Sequence, residues 1–320
     1  MTRSFSNVNK QLNIDQIITI IDINHYLFDT IETVRFFNKR KKVFYMNMNN
    51  IKLIVCDIDG TLVRTDRVLT SKTKKMIQRI HDAGLYFSIA SGRSVRQQLH
   101  KQAKDWGLDF EFELLIGMNG SEMYDGLNNK YHDYYKLKRE WLKEIIELME
   151  PFDLNPFLYS NGQMLSRKID DTTKASSKRN STNVRVAKDI SELYAEENAK
   201  IMFRIDEDRM DEIVAYVNDH PSPHYKAFKT QTTMLEFTDS RVSKSVALIE
   251  FCNINNISLD QVISFGDMTN DNDLLEVSGI GVCLLNGSDD TKAVADIITE
   301  KTNDEDGFAH FMETQFFSKK

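Results

Sequence analysis

The chain has 320 residues, 41 % of them hydrophobic and 10 % aromatic, with a formal net charge of −7. That length supports one large core or two smaller ones, and the acidic balance argues against a nucleic-acid or membrane-surface binder. Cys56, Cys252 and Cys283 lie far apart in apolar segments, so buried free thiols in a reducing cytoplasm fit better than disulfides or zinc, and no apolar run approaches the ~20 residues that cross a bilayer.

Residues 1–50 read least clearly. The stretch 14–27 is apolar but broken by Asp15, Asp22 and His25, which does not suit a secretory signal. The basic run Lys39-Arg40-Lys41-Lys42 follows, yet Asp15, Asp22, Asp29 and Glu32 make the segment too acidic for a mitochondrial presequence. Met46 and Met48 stand directly before the first strong strand signal. The reading is that the native start lies at one of them and that 1–45 is a translated upstream region; a helical appendage that mediates a contact is the alternative.

The run 51–56 is almost wholly apolar and β-branched, the pattern of a central parallel strand. It stops at Asp57-Ile58-Asp59-Gly60-Thr61. Strand alternation sends Asp57 and Asp59 toward one side as the strand ends, and two like charges this close call for a cation or a shared proton. An amphipathic helix is expected over 71–83, with Met76, Ile77 and Ile80 inward, then a strand over 85–90 ending in Ser91-Gly92-Arg93. Helical character resumes over 94–106. A third strand over 112–116 leads to Met118-Asn119-Gly120 and a hairpin through Asp125-Gly126.

The middle of the chain differs. A helix is expected over 138–149, a hairpin over 157–165, a polar and mobile surface loop over 170–183, a strand over 200–205 and a helix over 208–218. Strands at 227–228 and 234–237 complete a separate α+β unit, placed at 135–235. The α/β alternation then returns with a helix over 244–253, a strand over 261–265 ending at Gly266-Asp267, a helix from Asp271, a strand over 279–284 and an apolar-faced helix over 291–298. The segment 308–317 closes the chain. The fold class is α/β: a Rossmann-like parallel sheet core, 51–134 and 236–320, with an inserted α+β cap.

Asp57/Asp59, Ser91-Gly92-Arg93, Lys244, and Gly266-Asp267 with Asn270-Asp271 each follow a predicted strand or open the next helix. In open α/β sheets the ligand crevice lies outside the carboxyl ends of the strands, so clusters scattered in sequence converge there. A phosphate group plus Mg²⁺ accounts for all of them together. His81, His100, His132, His220 and His224 have no metal-ligand spacing. The aromatics of 131–159 suit a core better than a substrate box.

Taken in order, Asp57-Ile58-Asp59-Gly60-Thr61, Ser91, Lys244 and Gly266-Asp267-Met268-Thr269-Asn270-Asp271 resemble the four signature motifs of the haloacid dehalogenase-like superfamily. The insert resembles its type-IIB cap. Asn119-Gly120 and Asn303-Asp304-Glu305-Asp306-Gly307 are similar to the Cof-type phosphatase branch. Asp273-Leu274-Leu275-Glu276 departs from the commoner small-residue and Met-Leu ending.

The resemblance implies a cytoplasmic, Mg²⁺-dependent phosphatase of small phosphorylated metabolites, sugar phosphates first. Asp57 is then the nucleophile and Asp59 the general acid and base, protonated in the first step. Asp57, the Asp59 carbonyl and Asp267 are the metal ligands, and Lys244 neutralises charge. Ser91, Gly92, Arg93, Asn119 and Asn270 are implied substrate contacts, with Asp271 behind the metal ligands. On the residues alone, Ser91 reads equally as a helix N-cap, Arg93 as a solvated helix-start residue and Asn119-Gly120 as a turn. A phosphosugar mutase and a non-catalytic phosphate-binding regulator are the alternative functions; the oligomeric state stays open.

Overall fold

The computed structural model describes residues 50–180 and 182–319; the readings made for 1–45 and for Met46 and Met48 as starts lie outside them. The apolar run after Asn50 becomes β1 (Leu53–Cys56), a wholly buried strand with a parallel neighbour on each edge. Next comes α1 (Ser71–Asp82), whose N-cap Thr70 accepts the Thr73 N–H at 3.1 Å and whose buried residues include Met76, Ile77 and Ile80. The chain continues through β2 (Tyr86–Ala90), β3 (Leu114–Gly117), β4 (Glu122–Asp125) and β5 (Lys130–Asp133). The inserted part holds α2 (Arg139–Met149), β6 (Pro156–Ser160), β7 (Gln163–Ser166), α3 (Asp171–Asn180), β8 (Val184–Val186), β9 (Lys200–Arg204), α4 (Glu207–Asp219), β10 (Tyr225–Gln231) and β11 (Met234–Asp239). The last part holds α5 (Lys244–Ile254), β12 (Val262–Gly266), α6 (Asn272–Val277), β13 (Ile280–Cys283), α7 (Asp289–Val294), β14 (Ile297–Ile298) and α8 (Gly307–Phe311).

Two sheets result. The larger has eight strands in the order β14-β13-β12-β1-β2-β3-β4-β5, parallel from β14 to β3 and closed by the antiparallel β4–β5 hairpin. The chain therefore moves outward from β1 on one side and returns on the other, which puts a topological switch point between β1 and β12. The smaller sheet has six strands in the order β10-β11-β9-β6-β7-β8. One face of it packs on α2 and α4, with Leu142, Ile145 and Ile213 against Ile201, Phe203 and Phe237. The chain crosses between the sheets at 134–138 and at 240–243. These crossings touch, the Arg241 guanidinium lying 3.7 Å from the centre of the Tyr135 ring.

Several expectations change. The polar stretch read as a mobile loop holds α3, started by a reciprocal cap: Asp170 accepts the Thr173 N–H at 2.8 Å and Thr173 accepts the Asp170 N–H at 2.9 Å. Its Ser, Thr and Lys residues carry no apolar stripe, so periodicity was silent there. The helix expected over 94–106 is reduced to a 3-10 turn at Leu99–Lys101 and one α turn at Gln102–Asp105, because Gln98 leaves helical geometry with φ −130°. The helix expected over 291–298 stops at Val294. Beyond it Asp296 exchanges bonds with Gly281, and Ile297 pairs with Val282 as an added edge strand. The expected boundary at 235/236 falls inside β11, which belongs to the smaller sheet up to Asp239. β8 went unread because three residues carry little pattern.

The closing segment packs on the large sheet. Phe308, 1 % exposed, sits between Phe265 and Phe87, with ring centres 4.9 and 6.1 Å away. Phe308→Ala is expected to cost about 3–5 kcal/mol, seen as a lower urea midpoint at unchanged slope.

Candidate active site

The site forms where β1 and β12 end side by side. The Asp57 N–H donates to the Phe265 carbonyl at 2.9 Å, extending the ladder one residue past β1. Asp57 is thereby delivered beside the residues that follow β12. The chain then turns at Gly60, whose φ of +91° suits glycine. A Cβ there would also strike the Asp267 carboxylate. Thr61 fixes that carboxylate, its hydroxyl donating to Oδ1 at 2.7 Å.

Lys244 opens α5, where Ser243 accepts the Val246 N–H at 3.3 Å as the N-cap. Its ammonium is fully buried and donates to Asp57 Oδ1 at 2.6 Å and Asp271 Oδ1 at 2.5 Å. The other Asp271 oxygen accepts the N–H groups of Asp267 and Met268 at 3.0 and 3.2 Å. One cation thus faces Asp57, Asp267 and Asp271, whose ligand atoms lie within 4.8 Å of one another. Burial pushes the Asp57 carboxyl up from the ordinary 3.8 to about 7, with Asp271 and Asp59 adding to the rise and Lys244 opposing it. Asp267 is also driven well above the usual range, by burial first and then by Asp57 and Asp271. Burial alone would depress the Lys244 ammonium; the two carboxylates beside it outweigh that and hold it charged.

This arrangement fits a hard cation. Asp57 has one oxygen on Lys244 and Asp267 has one on Thr61, so each has a second oxygen to offer a metal. Asp271 has both oxygens engaged, which suits positioning rather than ligation.

The expected substrate contacts are brought to the same place. Asp57, Asp59, Ser91, Gly92, Arg93, Asp267, Asn270 and Asp271 all line one cavity of about 100 Å³. Ser91 Oγ accepts the Arg93 N–H at 3.3 Å, but no helix starts there, so its reading as a helix N-cap does not hold. Arg93 contacts both Asp59 oxygens, at 2.8 and 2.7 Å, and Arg67 approaches the same carboxylate at 3.8 Å. Lys244 lies beneath Asp57 and Asn119 lies behind Gly92, neither on the cavity wall. Asn119 donates to Glu236 at 3.0 Å and accepts from Asn270 at 3.2 Å. Gly120 leaves no space for a Cβ against the Ser243 carbonyl, so this turn is seated on the residue before Lys244.

The cavity roof comes from the smaller sheet, and its residues went unread in the sequence. Lys200, Met202, Arg204, Thr230, Met234 and Glu236 line it. The available signal was the alternation Lys200-Ile201-Met202-Phe203-Arg204, in which a charged face marks the side turned from the helices.

Buried carboxylates and one lysine at the switch point of a parallel sheet, beneath an inserted α+β layer, define a capped Rossmann-like α/β enzyme. The model for haloacid dehalogenase-like hydrolases matches residues 54–312, and the chain belongs to that family. It is 26 % identical over 276 residues, 82 % of this chain and 97 % of the relative, to 5-amino-6-(5-phospho-D-ribitylamino)uracil phosphatase YitU of Bacillus subtilis. The crystal structure of TM0651 from Thermotoga maritima is similar with a TM-score of 0.66 at 25 % identity, over 82 % of this chain and 97 % of that one. The subclass IIB sugar phosphatase BT4131 shares the fold, with a TM-score of 0.68 at 22 % identity over 82 % and 98 % of the two chains. The family resemblance carried by the four motifs is borne out.

Asp57 titrates near 3.8 unfolded and about 7 folded, so across that window the folded state holds an extra proton and stability falls as pH rises. Without divalent cations, the wild type is expected to lose stability relative to Asp57→Asn between pH about 4 and about 7. Chemical denaturation at a series of pH values measures this; a relative gain across the window would contradict it.

Proposed function

We propose that this phosphatase hydrolyses small phosphomonoesters, sugar phosphates in particular, with Mg²⁺ and through an aspartyl-phosphate on Asp57. The observation that carries the reading is the buried Lys244 ammonium, 2.6 Å from Asp57 and 2.5 Å from Asp271, beside an Asp267 carboxylate that keeps an oxygen to offer a metal. Asp57, Asp267 and the Asp59 carbonyl would hold the ion, which supplies positive charge for the phosphoryl oxygens.

The remaining chemistry belongs to the chain. Lys244 orients Asp57 so that the oxygen it contacts meets phosphorus in line, which leaves the other oxygen for the ion. The oxygen–phosphorus bond forms, the bond to the leaving oxygen breaks, and Asp59 gives that oxygen a proton. Asp59 then takes a proton from water, which attacks the aspartyl-phosphate and releases inorganic phosphate and the Asp57 carboxylate. Ser91 donates to a phosphoryl oxygen. Arg93 fixes Asp59, and an arriving phosphoryl group competes for its guanidinium.

Two further observations support a hydroxylated leaving group. The Bacillus subtilis relative is named for a substrate whose phosphate sits on a ribityl chain. A wider groove of about 630 Å³ shares Arg67, Arg93, Gln98 and Tyr159 with the cavity and gives room for such a body. The buried free thiols support a reducing cytoplasm as the site of action.

Phosphate release from para-nitrophenyl phosphate with Mg²⁺ tests the reaction. Asp57→Asn is expected to lower kcat at least about a thousandfold; activity that survives it would refute the nucleophile. Asp59→Asn is expected to lower kcat about 10²- to 10⁴-fold at unchanged Mg²⁺ half-saturation. Loss of metal affinity with normal saturated turnover would contradict the proton-transfer role.

A further inference from the structure

The roof of the cavity carries an ion pair that packing does not require. Along β9 and β11, Ile201, Phe203, Leu235 and Phe237 face the helices, while Lys200, Met202, Met234 and Glu236 face the cavity. Met202 and Met234 show that apolar side chains fill this face adequately. Lys200 and Glu236 are nonetheless charged, 4 % and 5 % exposed, and paired at 2.8 Å. Withdrawing two charges from water is costly, and hydrophobic residues of similar volume usually serve stability as well or better.

Both charges reach down to the loops that hold the phosphate site. Lys200 Nζ donates to the Gly92 carbonyl at 2.9 Å, one residue from Ser91. Glu236 Oε2 accepts from Asn119 at 3.0 Å, and Oε1 accepts from Thr230 at 3.0 Å. A donor-only ammonium and an acceptor-only carboxylate therefore stand side by side, directly above the phosphate-binding floor.

We infer that Lys200 and Glu236 form the subsite that reads hydroxyl groups on the leaving group, so that the site selects polyol and sugar phosphates over alkyl and aryl ones. This rests on the phosphatase reading above. A hydroxyl both accepts and donates, so one hydroxyl or a vicinal pair satisfies ammonium and carboxylate together. The thioethers of Met202 and Met234 offer soft apolar surface to the carbon chain between hydroxyls. A hydroxylated leaving group replaces the contacts to Gly92 and Asn119 with its own. An alkyl group of the same length disturbs them and replaces nothing, leaving buried charges short of partners.

The test compares ribitol 5-phosphate with n-pentyl phosphate, using the whole chain, Mg²⁺ and measured phosphate release. The wild-type ratio of kcat/KM, polyol over alkyl, is expected to exceed one clearly. It should fall at least about tenfold in Glu236→Gln, which keeps the side-chain shape, and in Lys200→Met. A variant that loses activity on both esters equally would overturn the subsite and leave the pair as a fastening between the two layers. A wild type that cleaves para-nitrophenyl phosphate but shows no preference for the polyol would overturn the subsite alone. A wild type that releases phosphate from none of the three would overturn the phosphatase reading itself.

Discussion

One buried ammonium facing three buried carboxylates sets the terms for the whole molecule. Asp57 and Asp271 hold Lys244 charged against the burial that opposes it, and it compensates only part of their charge. Such a cluster is not assembled for stability, since carboxylates buried together oppose folding whenever they ionise. It persists because the surrounding backbone fixes it. Asp271 is held by two N–H groups, Asp267 by Thr61, and Gly60 yields the space that the Asp267 carboxylate fills. The three carboxylates around one ammonium suit a hard cation.

The two sheets divide the work by their geometry. In the large sheet, parallel strands on either side of the switch point bring acids from positions 57 and 267 to the same edge. In the small sheet, strand alternation separates a helix-facing apolar side from a cavity-facing mixed side. On the proposed reading, reacting groups come from strand ends, and groups that meet the rest of the substrate come from strand faces. Asn119 links the two sets, touching Glu236 on one side and Asn270 on the other.

This division explains what the sequence disclosed. Asp57, Asp59 and Asp267 were legible because each interrupts an apolar strand at its carboxyl end, and Lys244 because it opens a helix straight after the insert. Lys200 and Glu236 were opaque. Charged residues in a short alternating strand ordinarily face water, and only the tertiary arrangement turns that face onto the site. α3 and β14 were missed for a related reason. The first is specified by a side-chain cap and the second by Asp296 bonding to a neighbouring strand, and neither leaves a periodic trace. Arg93 was read as a substrate contact or a solvated residue, and its pairing with Asp59 required the fold to bring positions 34 apart in sequence together.

The paired crossings at 134–138 and 240–243 have a mechanical consequence. Two connections held side by side by Tyr135 and Arg241 define an axis rather than a point, as two pins do on a door. Any rotation of one layer over the other about that axis would have to break the bonds of Lys200 to Gly92 and of Asn119 to Glu236. The second crossing also ends at Ser243, immediately before Lys244 and against Gly120. Lys244, which contacts Asp57, is therefore the first helical residue beyond the pin, with only four residues between it and β11.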